Sequence, residues 1–155
     1  MNDVAFRAMV PADLETVAQL VSRADPFGWT LRNFADAIAA GNTLTVMHFK
    51  ERVIGVAAVM HVIDEAELLE IAVDPDYQGR GWGERLLGQA LAQAHRNGAA
   101  RIFLEVRVSN ERARKMYTSF GFAQTGRRKN YYPTPSGRED ALLMTAQLGE
   151  IRAGQ

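Results

Sequence analysis

The stretch "IAVDPDYQGRGWGERLL", residues 71–87, restricts the fold of this chain more than any other segment. It joins an apolar run that reads as a strand to an amphipathic run that reads as a helix, with Gly79, Gly81 and Gly83 at the junction. Glycine loses more conformational freedom on folding than any other residue, so its repeated use where a helix must start needs a reason. One reason is geometric: a tight turn with positive φ. The other is chemical. The first N–H groups of a helix have no intrahelical partner and carry the positive end of the helix dipole. A junction stripped of side chains lets an anion reach them. On that reading Gly79, Gly81 and Gly83 cradle a pyrophosphate, and Arg80 adds charge. The residues alone leave both reasons open. Two common phosphate motifs do not fit: no GxxxxGK followed by Ser or Thr is present, and the spacing is GxGxG where a dinucleotide site needs GxGxxG.

The rest of the chain supplies a sheet for this junction to sit on. "VAFRAM", 4–9, reads as a strand. Pro11 opens a helix with Leu14, Val17, Ala18 and Val21 on one face, broken at "ADPFGW". Thr30 is an N-cap for a second helix, with Leu31, Phe34 and Ile38 inward and Gly41 as its stop. "TLTVMHFK" and "VIGVAAVMHV" form a hairpin turning at Glu51–Arg52, and "AELLEIAVD", 66–74, is a further strand. Leu86, Leu87, Ala90, Leu91 and Ala94 share a helix face ending at Gly98. "RIFLEVRV", 101–108, alternates with Ile102, Leu104, Val106 and Val108 on one side. A helix over about Asn110–Phe120 follows, stopped by Gly121, then two strands around a turn at Pro133–Gly137. The expected fold is a mixed α/β sheet of about seven strands with helices on both faces.

Composition narrows the function. A length of 155 residues predicts one domain, 1–155, and 47% hydrophobic content predicts a packed core. Eighteen basic residues balance eighteen acidic ones, which points away from nucleic acid and membrane surfaces. "GRRK", 126–129, reads as a solvated patch. No cysteine is present, so a disulfide framework, a thiolate metal site and a cysteine nucleophile are excluded. His48, His61 and His95 lack metal-ligand spacing, and no metal is expected. With no spanning run and no signal peptide, the chain reads as soluble and cytoplasmic.

Three groups offer chemistry. Glu105 lies on the face of its strand away from Ile102 and Leu104, beside Phe103. It reads as a base next to apolar surface or as an ion pair with Arg107 or Arg101, and the residues alone favour the ion pair. Tyr117 shares a helix face with Ala113, Met116 and Phe120, which makes it core or a proton donor. Tyr131 and Tyr132 read equally as edge-strand aromatics or as the border of a groove.

Gln78, Gly81 and Gly83 resemble the acetyl-CoA loop of the GNAT acetyltransferases, whose pattern is Gln or Arg, two residues, Gly, one residue, Gly or Ala. "LEVRVSNERARKMYTSFGF" and "RRKNYYPTPSGREDALLM" are similar to one branch, the RimI-type enzymes that acetylate the N-terminal alanine of a small-subunit ribosomal protein. The close likeness spans residues 64–146. Earlier residues match only in outline, at "PFGW" and "NF". The resemblance implies a strand that parts from its neighbour and offers Ile71, Ala72 and Val73 to the pantetheine arm. It implies a pyrophosphate on the N–H groups from Gly79 to Glu84, including Arg80, Gly81, Trp82 and Gly83, with Asn110 also touching the cofactor. It makes Glu105 the base and Tyr117 the acid of direct acetyl transfer, with Glu70 as rival base and the Val73 N–H as oxyanion donor. Tyr131 and Tyr132 then border the acceptor groove. The expected partner is a protein N-terminus, that of small-subunit ribosomal protein number eighteen. A small-molecule acetyltransferase and a non-catalytic CoA-binding domain are the competing expectations.

Overall fold

A seven-stranded sheet in the order β1-β2-β3-β4-β5-β7-β6 carries the molecule. The computed structural model describes residues 4–150. Its elements are β1 (Val4–Ala8), α1 (Leu14–Ala24), α2 (Leu31–Ala39), β2 (Thr43–Phe49), β3 (Arg52–Val62), β4 (Glu65–Val73), α3 (Trp82–Arg96), β5 (Arg101–Arg107), α4 (Glu111–Ser119), β6 (Ala123–Thr134) and β7 (Gly137–Gln147). Short 3-10 turns lie at Pro11–Asp13, Pro75–Tyr77 and Leu148–Glu150. The succession of strands and helices is the one the periodicity predicts. Every neighbouring pair is antiparallel except β4 and β5, which run parallel.

Helices cover both faces, and the sequence of β3 shows why. Its run Ile54–Val59 is buried almost throughout because alternate residues serve two cores. Val56 and Ala58 join Val17, Leu20, Val21 and Phe34 of α1 and α2. Ile54, Ala57 and Val59 join Leu86, Leu87 and Leu91 of α3 and Tyr117 and Phe120 near α4. Thr30 caps α2 as expected, accepting from the Asn33 N–H at 3.2 Å. Leu31 does not point inward: it is 42% exposed and lines a surface groove between α1 and the connection to α2. Leu20 and Ala37 fill the places beside Phe34 instead. The hairpin turns at Lys50, with φ 56°, and Glu51, one residue earlier than expected.

The feature that makes a site is an opening in the sheet. β4 pairs with β5 only through Glu65–Glu67 against Arg101–Phe103. Beyond that, β4 keeps its ladder with β3 as far as Val73, and β5 keeps its ladder with β7 as far as Arg107. The two strands therefore diverge. A β-bulge accompanies the parting. Leu68 opposes Val59 and Glu70 opposes Ala58, which leaves Leu69 as the extra residue. A bulge bends its strand and inverts the side-chain alternation. Ala66 and Leu68 face the α3 core before it, while Ile71 and Val73 face that core after it. Glu70 is thereby turned toward α1 and α2.

Candidate active site

The glycine junction sits at the mouth of the opening. Gly79 and Gly81 both have φ of 80°, and a Cβ on either would meet nothing within 4 Å. Glycine is needed there for the backbone angle and leaves open space in front of the loop. Gly81 is the N-cap of α3. Gly83 behaves differently from the expectation of positive φ at all three glycines. It lies in the first helical turn, and a Cβ on it would make ordinary contacts with Met116 Sδ at 3.7 Å and Val73 Cγ2 at 3.9 Å. The loop is anchored from below by Asp74, which is 1% exposed. Its Oδ2 accepts from Arg23 at 2.7 Å and its Oδ1 from the Asp76 N–H at 2.9 Å. Burial alone would raise this carboxyl, but Arg23, the Asp76 N–H and Arg52 hold it below the usual carboxylate range.

Arg80 is exposed and lies over two rings, Tyr77 at 5.3 Å and Trp82 at 5.5 Å. Trp82 is stacked on Tyr77 with centroids 5.8 Å apart and leans on Phe49 at 5.2 Å. The Trp82 ring thus belongs to an aromatic cluster, and its N–H group belongs to the loop. Glu84 is exposed in the first turn of α3. Asn110 is the N-cap of α4 and accepts from the Ala113 N–H at 3.2 Å.

Along the opening, strand parity decides which backbone groups face it. The Asp74 N–H bonds Ile54 on β3 at 2.7 Å, so the polar groups of Ala72 also point to β3 and those of Ile71 and Val73 point to the gap. Two of the gap-facing groups are taken: Ile71 N–H by Glu70 Oε1 at 3.0 Å, and Val73 C=O by Gln78 Nε2 at 2.9 Å. The Ile71 carbonyl and the Val73 N–H remain directed into the gap. Ala72 does not share their orientation.

Four side chains converge below and beside the gap. Tyr117 is 7% exposed and packs on Phe122 at 5.6 Å between centroids. Burial pushes its phenol up, with smaller contributions from Glu70 and Tyr132. It therefore stays protonated and able to donate. Tyr132 is pushed up to about 12 by burial and then by Glu105 and Tyr131. Tyr131 is 42% exposed and meets Tyr132 edge-on at 5.0 Å. Glu105 does pair with an arginine, but with neither expected partner: the donor is Nε of Arg128 on β6.

Glu70 is pushed up to about 7 by burial, against the pull of two backbone donors. One donor is Ile71; the other is the Trp29 N–H of the α1–α2 connection, 2.9 Å from Oε2. Both oxygens are thus engaged in holding backbone in place. A glutamine cannot accept at its nitrogen, so Glu70→Gln frees one of these N–H groups. A consequence for stability follows. Because the folded carboxyl titrates above the ordinary value near 4.5, its protonated form stabilises the fold below that pH. The contribution is lost as pH rises through about 7. Urea melts should therefore show wild type losing stability relative to Glu70→Gln as pH rises from 4.5 to 7. A stability difference that stays constant across the window would show that Glu70 is ordinary.

A roof closes the end of the gap. The Arg107 guanidinium lies between the Phe27 ring at 4.1 Å and the Tyr132 ring at 4.5 Å. Nη1 donates to the Pro133 carbonyl at 2.8 Å. This stack ties the α1–α2 connection to the β6–β7 hairpin across β5. Arg128 is the residue that sequence reasoning left without a role at the site, and the stacking of Arg107 between Phe27 and Tyr132 was not foreseen. Among the described residues no group of His, Cys, Asp or Glu is placed to hold a metal, and no helix is long and apolar enough to cross a membrane.

The chain belongs to the GNAT acetyltransferase family, whose model matches residues 13–122. It is an enzyme that transfers acetyl groups, and enzymes of this family use acetyl-CoA. Over 148 residues it is 37% identical to the [ribosomal protein bS18]-alanine N-acetyltransferase of Escherichia coli K12, covering 96% of this chain and 99% of that one. The crystal structure of the E. coli ribosomal-protein-S18-alanine N-acetyltransferase superposes with a TM-score of 0.90 at 34% identity, covering 98% of each chain. A GNAT acetyltransferase of Elizabethkingia anophelis, solved with acetyl-CoA bound, shares the fold at 22% identity, with a TM-score of 0.75 and coverage of 95% of this chain and 99% of that one.

Proposed function

We propose that this chain acetylates the N-terminal α-amine of a protein, and that its acceptor is the N-terminal alanine of ribosomal protein bS18. The observation that carries the acceptor is the near full-length likeness to the E. coli enzyme of that name. The setting is the cytoplasm, where the whole chain works as one catalytic domain. The opening between β4 and β5 fits a pantetheine arm, because the Ile71 carbonyl and the Val73 N–H face it. The loop fits a pyrophosphate, because Gly79 and Gly81 leave open space before the first N–H groups of α3.

Acetyl-CoA supplies the acetyl carbon, whose bond to sulfur is exchanged for one to the acceptor nitrogen. Glu105 takes the amine's proton, directly or through water. The Val73 N–H is placed to donate to a carbonyl oxygen in the gap. Tyr117, protonated and buried, gives its proton to the departing sulfur. Glu105 is the better base on geometry, because Glu70 has both oxygens committed to backbone N–H groups. Tyr131 and Tyr132 line the acceptor's approach, and Asn110 sits where α4 meets the gap. The scheme uses no metal ion.

An α-amine titrates near 7.7–8.0, against about 10.4 for lysine, so far more of it is neutral at pH 7. A single carboxylate suits that lighter task. The Phe27–Arg107–Tyr132 stack spans the acceptor's approach and on this reading favours a small first residue. An alanine-first peptide should therefore outcompete an N-blocked lysine peptide and spermidine when products are read by mass spectrometry. Preferential acetylation of lysine or spermidine would reassign the acceptor and leave the acetyltransferase assignment standing.

A further inference from the structure

Arg128 pairs with Glu105 from the point where β6 begins to carry extra residues. Pairing runs from Arg128 opposite Ala141 to Tyr132 opposite Glu139, so β6 advances further than β7 over this stretch. Asn130 takes a left-handed φ of 52° there. The bulge is pinned by Asp140, which accepts from the Asn130 N–H at 2.9 Å, and by Arg138, which donates to the Asn130 and Tyr131 carbonyls at 2.8 and 3.0 Å. The frame is rigid, but the guanidinium it presents is held lightly. The Arg128 side chain is 54% exposed against 18% for Glu105. Among the described residues Glu105 is its one hydrogen-bond acceptor, and the guanidinium lies 5.4 Å from the Tyr131 ring.

Charge near the pair is unbalanced. Glu67 lies half-buried beside it, its carboxyl raised first by burial and then by Glu105, and drawn back by Arg128. Glu67 faces the same side of the sheet as Glu105, opposite Phe103, while the ion pair itself is between Arg128 and Glu105. The acceptor brings the missing cation, because an α-amine with pKa near 7.7–8.0 arrives mostly as ammonium at pH 7.

We propose that Arg128 is an internal stand-in for the acceptor's ammonium, occupying Glu105 in the free enzyme and being displaced toward Glu67 when the acceptor binds. The inference rests on Glu105 as the group that receives the amine. Arg128 then weakens acceptor binding by competition and makes it depend on the acceptor's charge. A ligand without the amine cannot displace it. Exposed ion pairs are weak, so the exchange is easily reversed.

The test is calorimetric titration of the full chain, saturated with CoA, with a short alanine-first peptide and its desamino analogue carrying propionyl in place of alanyl. Arg128→Ala should bind the amino peptide about two- to fivefold more tightly than wild type, the range of an exposed ion pair. The desamino peptide should bind both proteins alike, and Arg128→Lys should return the amino peptide toward wild type. Unchanged or weaker binding of the amino peptide by Arg128→Ala overturns the inference, and so does equal tightening of both peptides. Glu105→Gln in the same titration separates the two levels. If Glu105→Gln binds the amino peptide and turns it over like wild type, the role of Glu105 falls and this inference with it. If Glu105→Gln is impaired while Arg128→Ala is silent, only the stand-in falls.

Discussion

Glu105→Gln and Tyr117→Phe should each lower kcat by about 10²–10⁴-fold, the range for a positioned proton-transfer group, and should leave acetyl-CoA affinity little changed. Both replacements keep the shape of the side chain. The glutamine amide still offers a carbonyl oxygen to Arg128. The phenylalanine ring still packs against Phe122, whose centroid lies 5.6 Å from that of Tyr117. What each removes is a proton acceptor or donor. Thiol release under saturating substrates reads kcat, and calorimetry with acetyl-CoA reads the cofactor. Glu70→Gln is the control: it frees a backbone N–H at Ile71 or Trp29, so its damage should fall on acceptor KM. Near wild-type turnover in Glu105→Gln together with a dead Glu70→Gln would move the base to Glu70.

Gly81→Asp should weaken acetyl-CoA binding by about 100-fold or more while the protein stays folded. A Cβ there meets nothing within 4 Å, so no packing is lost. The left-handed φ of 80° costs a side chain about 1–2 kcal/mol, which a domain of this size tolerates. The carboxylate is the damaging part. Two like charges about 5 Å apart at an effective dielectric near 20 repel by about 3 kcal/mol. Gly81→Asn separates charge from bulk and should lose far less. Gly83→Ala, in helical geometry with ordinary contacts waiting for its Cβ, should stay within a few-fold of wild type. Circular dichroism checks the fold and calorimetry the affinity; a folded Gly81→Asp with unchanged affinity would remove the pyrophosphate from this loop.

Local pattern made most of the fold legible. The alternation in β5 and the apolar face of α3 are properties of contiguous residues, and both are found where periodicity places them. The same holds for Thr30 as a cap, since a cap is decided within one helical turn. Leu31 misled because a helix's first residue can satisfy the periodicity and still lie off the buried face. Gly83 misled because spacing does not distinguish a glycine before a helix from one within it. At the site, Glu105 was visible but its partner was not. Arg128 comes from twenty-three positions downstream, on a strand whose register shifts leave no marker in the hydrophobic pattern. The bulge at Leu69, which turns Glu70 toward Trp29, is hidden for the same reason. The Phe27–Arg107–Tyr132 stack joins three distant segments and leaves no local trace.

The irregularity of β6 has a second consequence, for how copies of this protein meet one another. β6 is the outermost strand on its side of the sheet, and Ala123–Thr134 is long enough to template another chain. β1, on the opposite edge, spans Val4–Ala8 among the described residues. Regular pairing along β6 is interrupted at Gln124–Gly126 and again between Arg128 and Tyr132. Arg127, Arg128 and Lys129 crowd the stretch with like charge, and Pro133 has no N–H to give. A strand so broken and so charged is a poor template for its twin, which disfavours edge-to-edge aggregation on this side of the sheet.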